Sequence, residues 1–339
     1  LGFKVTFVSQ SLAYMGDYTQ DLQRRGVECL YAPYQTSIEE VVRNRGLEFD
    51  VFYITRYNVA QPYIDEIRAS SPRGKIVFCN ADLHFLREIR SAIAAGDAEA
   101  LAKARETREA ELAVMRRVDV TLTYSDAEAA VILSHNLDET KVARCPWVAD
   151  AREETPPFAA RTGLAFLGGF NHAPNEEAVR YFLDEIMPGL RRAIPGIKLH
   201  VYGSNVTEAL RALAGEDVVV EGYVERVEDV YDRHRVFVAP LRSGAGVKGK
   251  VVGALASGAP TVMTSVAAEG LGVSRGVEAA VVDGAAEWVE AVAALYRDEA
   301  RWREMSARAK RFARENFSFE RGVAMMRTAL AAAGVYVGE

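Results

Sequence analysis

Cysteine is scarce in this chain of 339 residues: there are three, Cys29, Cys79 and Cys145. They are odd in number, far apart and without metal-ligand spacing, which argues against a disulfide framework and a structural zinc site. They read as buried thiols in a reducing cytoplasm. No apolar run approaches the ~20 residues of a membrane-spanning helix, and no basic stretch followed by an apolar core opens the chain as a secretory signal would. Membrane contact is therefore expected to be peripheral at most, and the location cytoplasmic. Basic charge is not in excess either. The formal net charge is −6, which argues against nucleic acid as a partner. No Asp-x-Asp pair occurs, so no two-carboxylate site for a metal–diphosphate complex is visible, and no metal ligand is assigned. The Gly-x-Ser-x-Gly elbow of α/β-hydrolases is missing, and no Gly-x-Gly-x-x-Gly follows an early strand.

What remains is an average globular composition, 49% apolar and 26% charged, in a chain long enough for two domains. Short apolar runs alternate with helical stretches. In the first half Phe3–Val8, Val27–Tyr31, Asp50–Ile54, Lys75–Cys79 and Val118–Tyr124 read as strands, the last reached through one long charged helix over roughly Phe85–Arg117. Leu1-Gly2 reads as the tail and C-cap of a helix, and the reading is that a preceding strand and helix are absent. A proline- and charge-rich stretch, Cys145–Gly163, reads as a linker. The alternation then restarts with strands at Leu164–Leu167, Lys198–Tyr202, Val218–Val220, Val236–Leu241, Pro260–Met263 and Ala279–Val282, and a helix at Asn175–Ala193. Nearly continuous apolar strands separated by helices indicate parallel sheets buried on both faces. The expected architecture is α/β: two Rossmann-like domains, 1–150 and 151–316, with a terminal helix at 317–339. Two such domains would face a cleft between the carboxyl ends of their strands, where ligands of open sheets bind.

The most informative stretch is Val238-Ala-Pro-Leu-Arg-Ser-Gly-Ala-Gly-Val-Lys-Gly-Lys-Val-Val-Gly-Ala-Leu-Ala-Ser-Gly258. A buried strand gives way to a glycine-rich loop and then to a helix of small residues. Outward-pointing N–H groups and the helix dipole favour an anion there, and Arg242, Lys248 and Lys250 add full charges. That combination suits a diphosphate. Gly244-x-x-x-x-Gly249-Lys250 also approaches a P-loop, but Val251 stands where Mg²⁺ coordination needs Ser or Thr. A second loop, Gly168-Gly169-Phe170-Asn171-His172, lets a ligand approach the backbone, with Asn171 or His172 as hydrogen-bonding groups; a plain tight turn explains it equally well. A third, Thr264–Leu271, puts Glu269 at a strand end as a hydroxyl acceptor or as a merely solvated acid. In the first half, Asp82 and His84 follow the strand ending at Cys79, with Arg56 and Asn58 in the equivalent place after the strand ending at Ile54.

Phe166–Asn175, Val238–Gly258 and Thr264–Leu271, in that order, resemble the donor-binding domain of GT-B glycosyltransferases. The similarity is closest to the GT4-like enzymes of bacterial polysaccharide and O-antigen assembly, and the first half, including Asp82–Glu88, is similar to their acceptor domain. The resemblance implies a nucleotide sugar as donor and a glycan, lipid-linked or protein acceptor, with retention of configuration and no cofactor. It places Lys248 and Lys250 on the donor diphosphate, Gly244, Ala245, Gly246 and Val247 against the sugar, Glu269, Gly270 and Leu271 near sugar and phosphates, and Gly203 and Ser204 near the base. Gly168, Gly169, Asn171 and Arg242 complete the donor-binding set, and Asp82, His84 and Lys250 the catalytic one. Two departures stand out. Gly253 and Ala245 occupy positions where the family commonly carries glutamates, and His172 stands where relatives carry Arg and Lys. A catalytically inactive GT-B module and a non-transferase enzyme of similar shape are the other readings.

Overall fold

A computed structural model describes residues 1–135 and 140–338. The chain divides into two compact units. Unit 1 takes Leu1–Phe85, Ala102–Cys145 and the segment from Val323 onward; unit 2 takes Leu86–Leu101 and Pro146–Gly322.

In unit 1, β1 (Thr6–Val8) pairs with β2 (Glu28–Leu30), while β3 (Val51–Thr55), β4 (Lys75–Cys79), β5 (Val120–Thr123) and β6 (Val142–Arg144) form a second sheet in that order. Every pairing is parallel. Ile76 to Cys79 of β4 and all of β5 are fully enclosed, as an apolar run between two helical layers requires. Ala329 and Leu330 of the terminal helix, with Ala333 just after it, close one side of this core over Val77, Val120 and Leu122.

Unit 2 is a six-stranded parallel sheet of β7 (Leu164–Leu167), β8 (Leu199–Tyr202), β9 (Val218–Gly222), β10 (Val236–Ala239), β11 (Thr261–Met263) and β12 (Ala280–Val281). Its order is β12-β11-β10-β7-β8-β9. The chain therefore starts in the middle of the sheet, winds to one edge and returns to the other, so the loops after β7 and β10 lie side by side. All four residues of β10 are buried. At ~1.5–3 kcal/mol for each enclosed Val or Phe, this strand anchors the loop that follows it.

Several sequence expectations shift. The long helix is two helices, His84–Ala95 and Ala98–Arg117. Gly96 takes φ +65° and ends the first, and the Asp97 carboxylate accepts the Ala100 amide at 2.9 Å to start the second. The expected N-terminal strand shrinks to three residues, and Leu1-Gly2 is not helical. The stretch 175–193 contains a π-helical turn, Phe182–Ile186, just before Pro188, which cannot donate to the helical ladder. Cys79 and Cys145 are buried with sulfurs 3.8 Å apart, but Cys29 is only half-buried. No helix of the described residues is long and apolar enough to cross a membrane.

Candidate functional site

The site grows from the carboxyl ends of β7 and β10. After β7, Gly168 and Gly169 turn so tightly that a Cβ on Gly168 would meet the Asn175 side chain at 2.6 Å. The neighbouring loop after β8 locks onto them: Gly168 N–H donates to the Tyr202 carbonyl and Phe170 N–H to that of Ser204. Gly203 has φ +153°, and a Cβ there would lie 1.8 Å from the Gly168 carbonyl oxygen. Only glycine allows that approach. Gly203 and Ser204 thus support the double-glycine loop directly. Asn171 is exposed at its tip.

After β10 the chain runs through Pro240–Lys248 into the helix Gly249–Ala256, whose first amides point outward without intrahelical partners. The three expected cations take different settings. Lys250 reaches back to the Asn175 Oδ1 and sits 4.5 Å from the centre of the Phe166 ring. Burial, with Lys248 as a lesser cause, pulls its pKa down to about 7. Lys248 bonds the Gly246 carbonyl at 2.6 Å. Arg242 is exposed and lies over the Tyr181 ring, 5.0 Å from its centre. The three charges are graded in exposure: an enclosed ammonium at Lys250, a half-buried Lys248 and an exposed Arg242.

Lys250 opens into a cavity of about 590 Å³ whose lining includes Trp147, Gly168, Asn175, Glu228 and Tyr231. The same lining carries the glycine turn, the first residues of the helix, Arg152 and the carboxylates of Glu228 and Asp150. The Lys250 ammonium and the helix amino terminus suit an anion, and the carboxylates suit hydroxyl groups. Gly253 lines the same cavity, and the Tyr231 hydroxyl lies 2.8 Å from where its Cβ would be. That hydroxyl donates to the Lys250 carbonyl at 2.8 Å, so the space a longer residue at 253 would need is already taken. Unit 1 has a cavity of about 540 Å³ between β1 and β3. Its lining is mostly apolar (Phe7, Val41 and Phe52 among others) and includes no carboxylate, lysine, arginine or histidine.

The third loop starts with Thr264, whose hydroxyl caps the short helix Ser265–Ala268 and donates to the Leu241 carbonyl, tying this loop to the second. Leu271 is buried and Gly270 takes φ +77°. Glu269, expected as a hydroxyl acceptor, is held by Arg90 in a two-pronged ion pair at 2.7 and 2.8 Å, which keeps its carboxyl below the usual range. The same guanidinium donates to the Gly244 carbonyl at 3.2 Å.

In unit 1, Asp82 and His84 stand at the end of β4, as expected. The His84 Nδ1 lies 3.2 Å from Glu111 Oε1 and 3.2 Å from the Asp82 carbonyl, with the Tyr57 ring edge-on. Glu111 is fully buried and also accepts the amides of His84 and Phe85, while Glu128 accepts that of Leu83. Two buried carboxylates thereby fix the start of the helix His84–Ala95. Both partners of Nδ1, Glu111 Oε1 and the Asp82 carbonyl, are acceptors, which favours the proton on that nitrogen.

Asn175, Arg90, Tyr231, Glu228, Trp147 and Glu111 went unmarked as site residues in sequence. Asn175 carried the one local signal, an amide in the first turn of a helix beside a double glycine. Among the described residues, no group of three or more His, Cys, Asp or Glu side chains is placed to hold a metal ion.

Residues 161–298 match the family model "Glycosyl transferases group 1". An uncharacterized protein of the cps region of Klebsiella pneumoniae is 23% identical over 163 residues, 45% of this chain and 42% of that protein. The chain thus spans less than half the length of that relative. Among solved structures, HepE of Anabaena in complex with UDP is similar at a TM-score of 0.72 and 13% identity, covering 97% of this chain and 100% of that one. TarM of S. aureus is similar at 0.68 and 10%, covering 87% of this chain and 57% of that one. At such identities the likeness is one of fold, GT-B.

Proposed function

We propose that the chain, whose residues 161–298 match the glycosyl transferases group 1 model, transfers a sugar from a nucleoside-diphosphate sugar to an acceptor in bacterial polysaccharide assembly. The observation that carries the reading is Lys250, a desolvated ammonium beside a helix amino terminus and a double-glycine turn, all lining one cavity. Cleaving a glycosyl–diphosphate bond builds negative charge on the leaving group and oxocarbenium character on the sugar. Groups already oriented toward that charge stabilise it without reorganising. The Lys250 ammonium and the first amides of the helix Gly249–Ala256 take the diphosphate, and Glu228 and Asp150 accept from hydroxyls of the nucleoside. Positive charge supplied by the chain itself supports a metal-independent transfer. Retention of configuration is proposed from the family. The HepE complex with UDP makes a uridine nucleotide the first donor to try. Unit 1, with Asp82 and the His84–Glu111 pair at a strand end, is proposed to serve a glycan, lipid-linked or protein acceptor.

Calorimetry against UDP, GDP, dTDP, CMP and ADP tests this. One nucleoside diphosphate should bind, and Lys250→Ala should weaken it by ~1.5–3 kcal/mol, the range for hydrogen bonds to charged groups, while leaving the bare nucleoside almost unchanged. Equal losses for both ligands, or no binding by any, would defeat the reading. One observation favours a second reading, a binding module without turnover: Tyr231 fills the space beside Gly253 where the family commonly carries a glutamate. Nucleotide binding with no sugar release from any nucleotide sugar would select that alternative.

A further inference from the structure

The loop Pro240–Lys248 carries glycines at 244 and 246, both with positive φ. Gly244, at φ +121°, imposes no conformation on it, so the contacts made from outside determine where the loop stands. Arg242 lies over Tyr181, Ser243 Oγ donates to Glu177 at 2.8 Å, Thr264 Oγ1 donates to the Leu241 carbonyl and Arg90 to the Gly244 carbonyl, while Lys248 Nζ holds the Gly246 carbonyl within the loop. Thr264 joins the starts of the two loops, and Arg90 joins them further along, because it also grips Glu269, on the loop Thr264–Leu271, with two short parallel bonds. A planar guanidinium with several donors in fixed directions can hold a carboxylate and a carbonyl together, which a lysine ammonium cannot do with the same geometry.

We propose that Arg90 is a positioning residue of the donor site: it clips the loop Pro240–Lys248 to the loop Thr264–Leu271 and so sets the wall against which the donor sugar is held. On the donor reading above, the cavity that takes the diphosphate has its own support in the Lys250–Asn175 contact, and the clip governs the two loops beside it, 240–248 and 264–271. Arg90 and Glu269 therefore act as one unit, and Glu269 works through Arg90 rather than alone.

The test compares Arg90→Gln, Arg90→Lys, Glu269→Gln and the Arg90→Gln/Glu269→Gln double variant, with UDP as binding probe and sugar release from UDP-glucose as turnover. Each single variant should lose tenfold or more in turnover while the UDP Kd stays within about threefold. The double variant should fall no further than the worse single one, because both remove the same clip. Additive losses, an equal loss of UDP binding, or full activity in Arg90→Lys would overturn the proposal. Hydrogen exchange reads the clip without any substrate: Arg90→Gln should speed amide exchange in both 240–248 and 264–271. Unchanged exchange in either segment overturns it. Should the wild-type protein bind no UDP at all, the uridine donor reading fails separately, and exchange alone decides on the clip.

Discussion

At the scale of single residues, Lys250 holds an ammonium where ammonium groups are costly. Burial is the main cause of its depressed pKa, about 7, and the nearby Lys248 charge adds to it. A bound diphosphate reverses both effects, so binding must be linked to proton uptake wherever the free protein has lost that proton. The sign follows directly. Below pH 7 the ammonium is present and affinity is at its plateau. Above about 7 affinity should fall by on the order of tenfold per pH unit, since one proton is taken up on binding. UDP-glucose is the suitable probe because its diphosphate does not titrate in this range. Isothermal titration in buffers of different ionisation enthalpy should detect uptake approaching one proton at pH 8, and Lys250→Met should abolish both the uptake and the slope. The same substitution should leave the unliganded protein at least as stable at neutral pH, because it removes a buried charge with one neutral partner. A pH-independent affinity between 6.5 and 8.5 would mean the ammonium is not on the ligand.

Elements fix where such residues meet, and the helix Gly249–Ala256 shows how tightly. Gly253 faces Tyr231, whose hydroxyl donates to the carbonyl of Lys250 one turn earlier. Gly253→Ala places a methyl 2.8 Å from that hydroxyl oxygen. The variant should lose about 1–3 kcal/mol in urea unfolding, the usual cost of overpacking, and Tyr231→Phe should recover part of the loss. If Gly253→Ala gains stability through helix propensity alone, Tyr231 is free to move and the account is wrong. This pairing also marks the limit of what the sequence discloses. β10 was legible because four consecutive apolar residues have only a doubly covered strand to occupy, and the loop after it because glycines and lysines cluster locally. The break at Gly96 was visible in the letters but outweighed by the helical residues around it. Tyr231 against Gly253 and Asn175 with Lys250, 75 residues apart, depend on the order of strands in the β7–β12 sheet, and Arg90 with Glu269, 179 apart, on where the helix His84–Ala95 packs. No local pattern carries that order.

For the whole molecule, the chain's path decides which unit depends on which segment. The helix Phe319–Ala332 begins in unit 2, but from Val323 onward the chain belongs to unit 1. There Ala329, Leu330 and Ala333 cover Val77, Cys79, Val120 and Leu122, and the Lys141 ammonium holds the Ala332 carbonyl at 3.0 Å. The central strands β4 and β5 thus owe one face to residues more than two hundred positions away. Removing residues 323–339 should uncover that face while leaving the β7–β12 core intact, since the core of unit 2 takes no residue beyond Phe317. Losing Leu330 alone is worth ~1.5–3 kcal/mol of burial, a large part of the 5–15 kcal/mol that holds a domain folded. The truncated protein should therefore unfold in two steps, with exchange protection lost first in β4 and β5 and retained in β7 and β10. If nucleotide binding belongs to unit 2, UDP should still raise the upper transition of the truncated protein and leave the lower one where it was. Loss of both transitions together would show that the donor half cannot stand without the C-terminal helix, and the division of labour between the units would have to be abandoned.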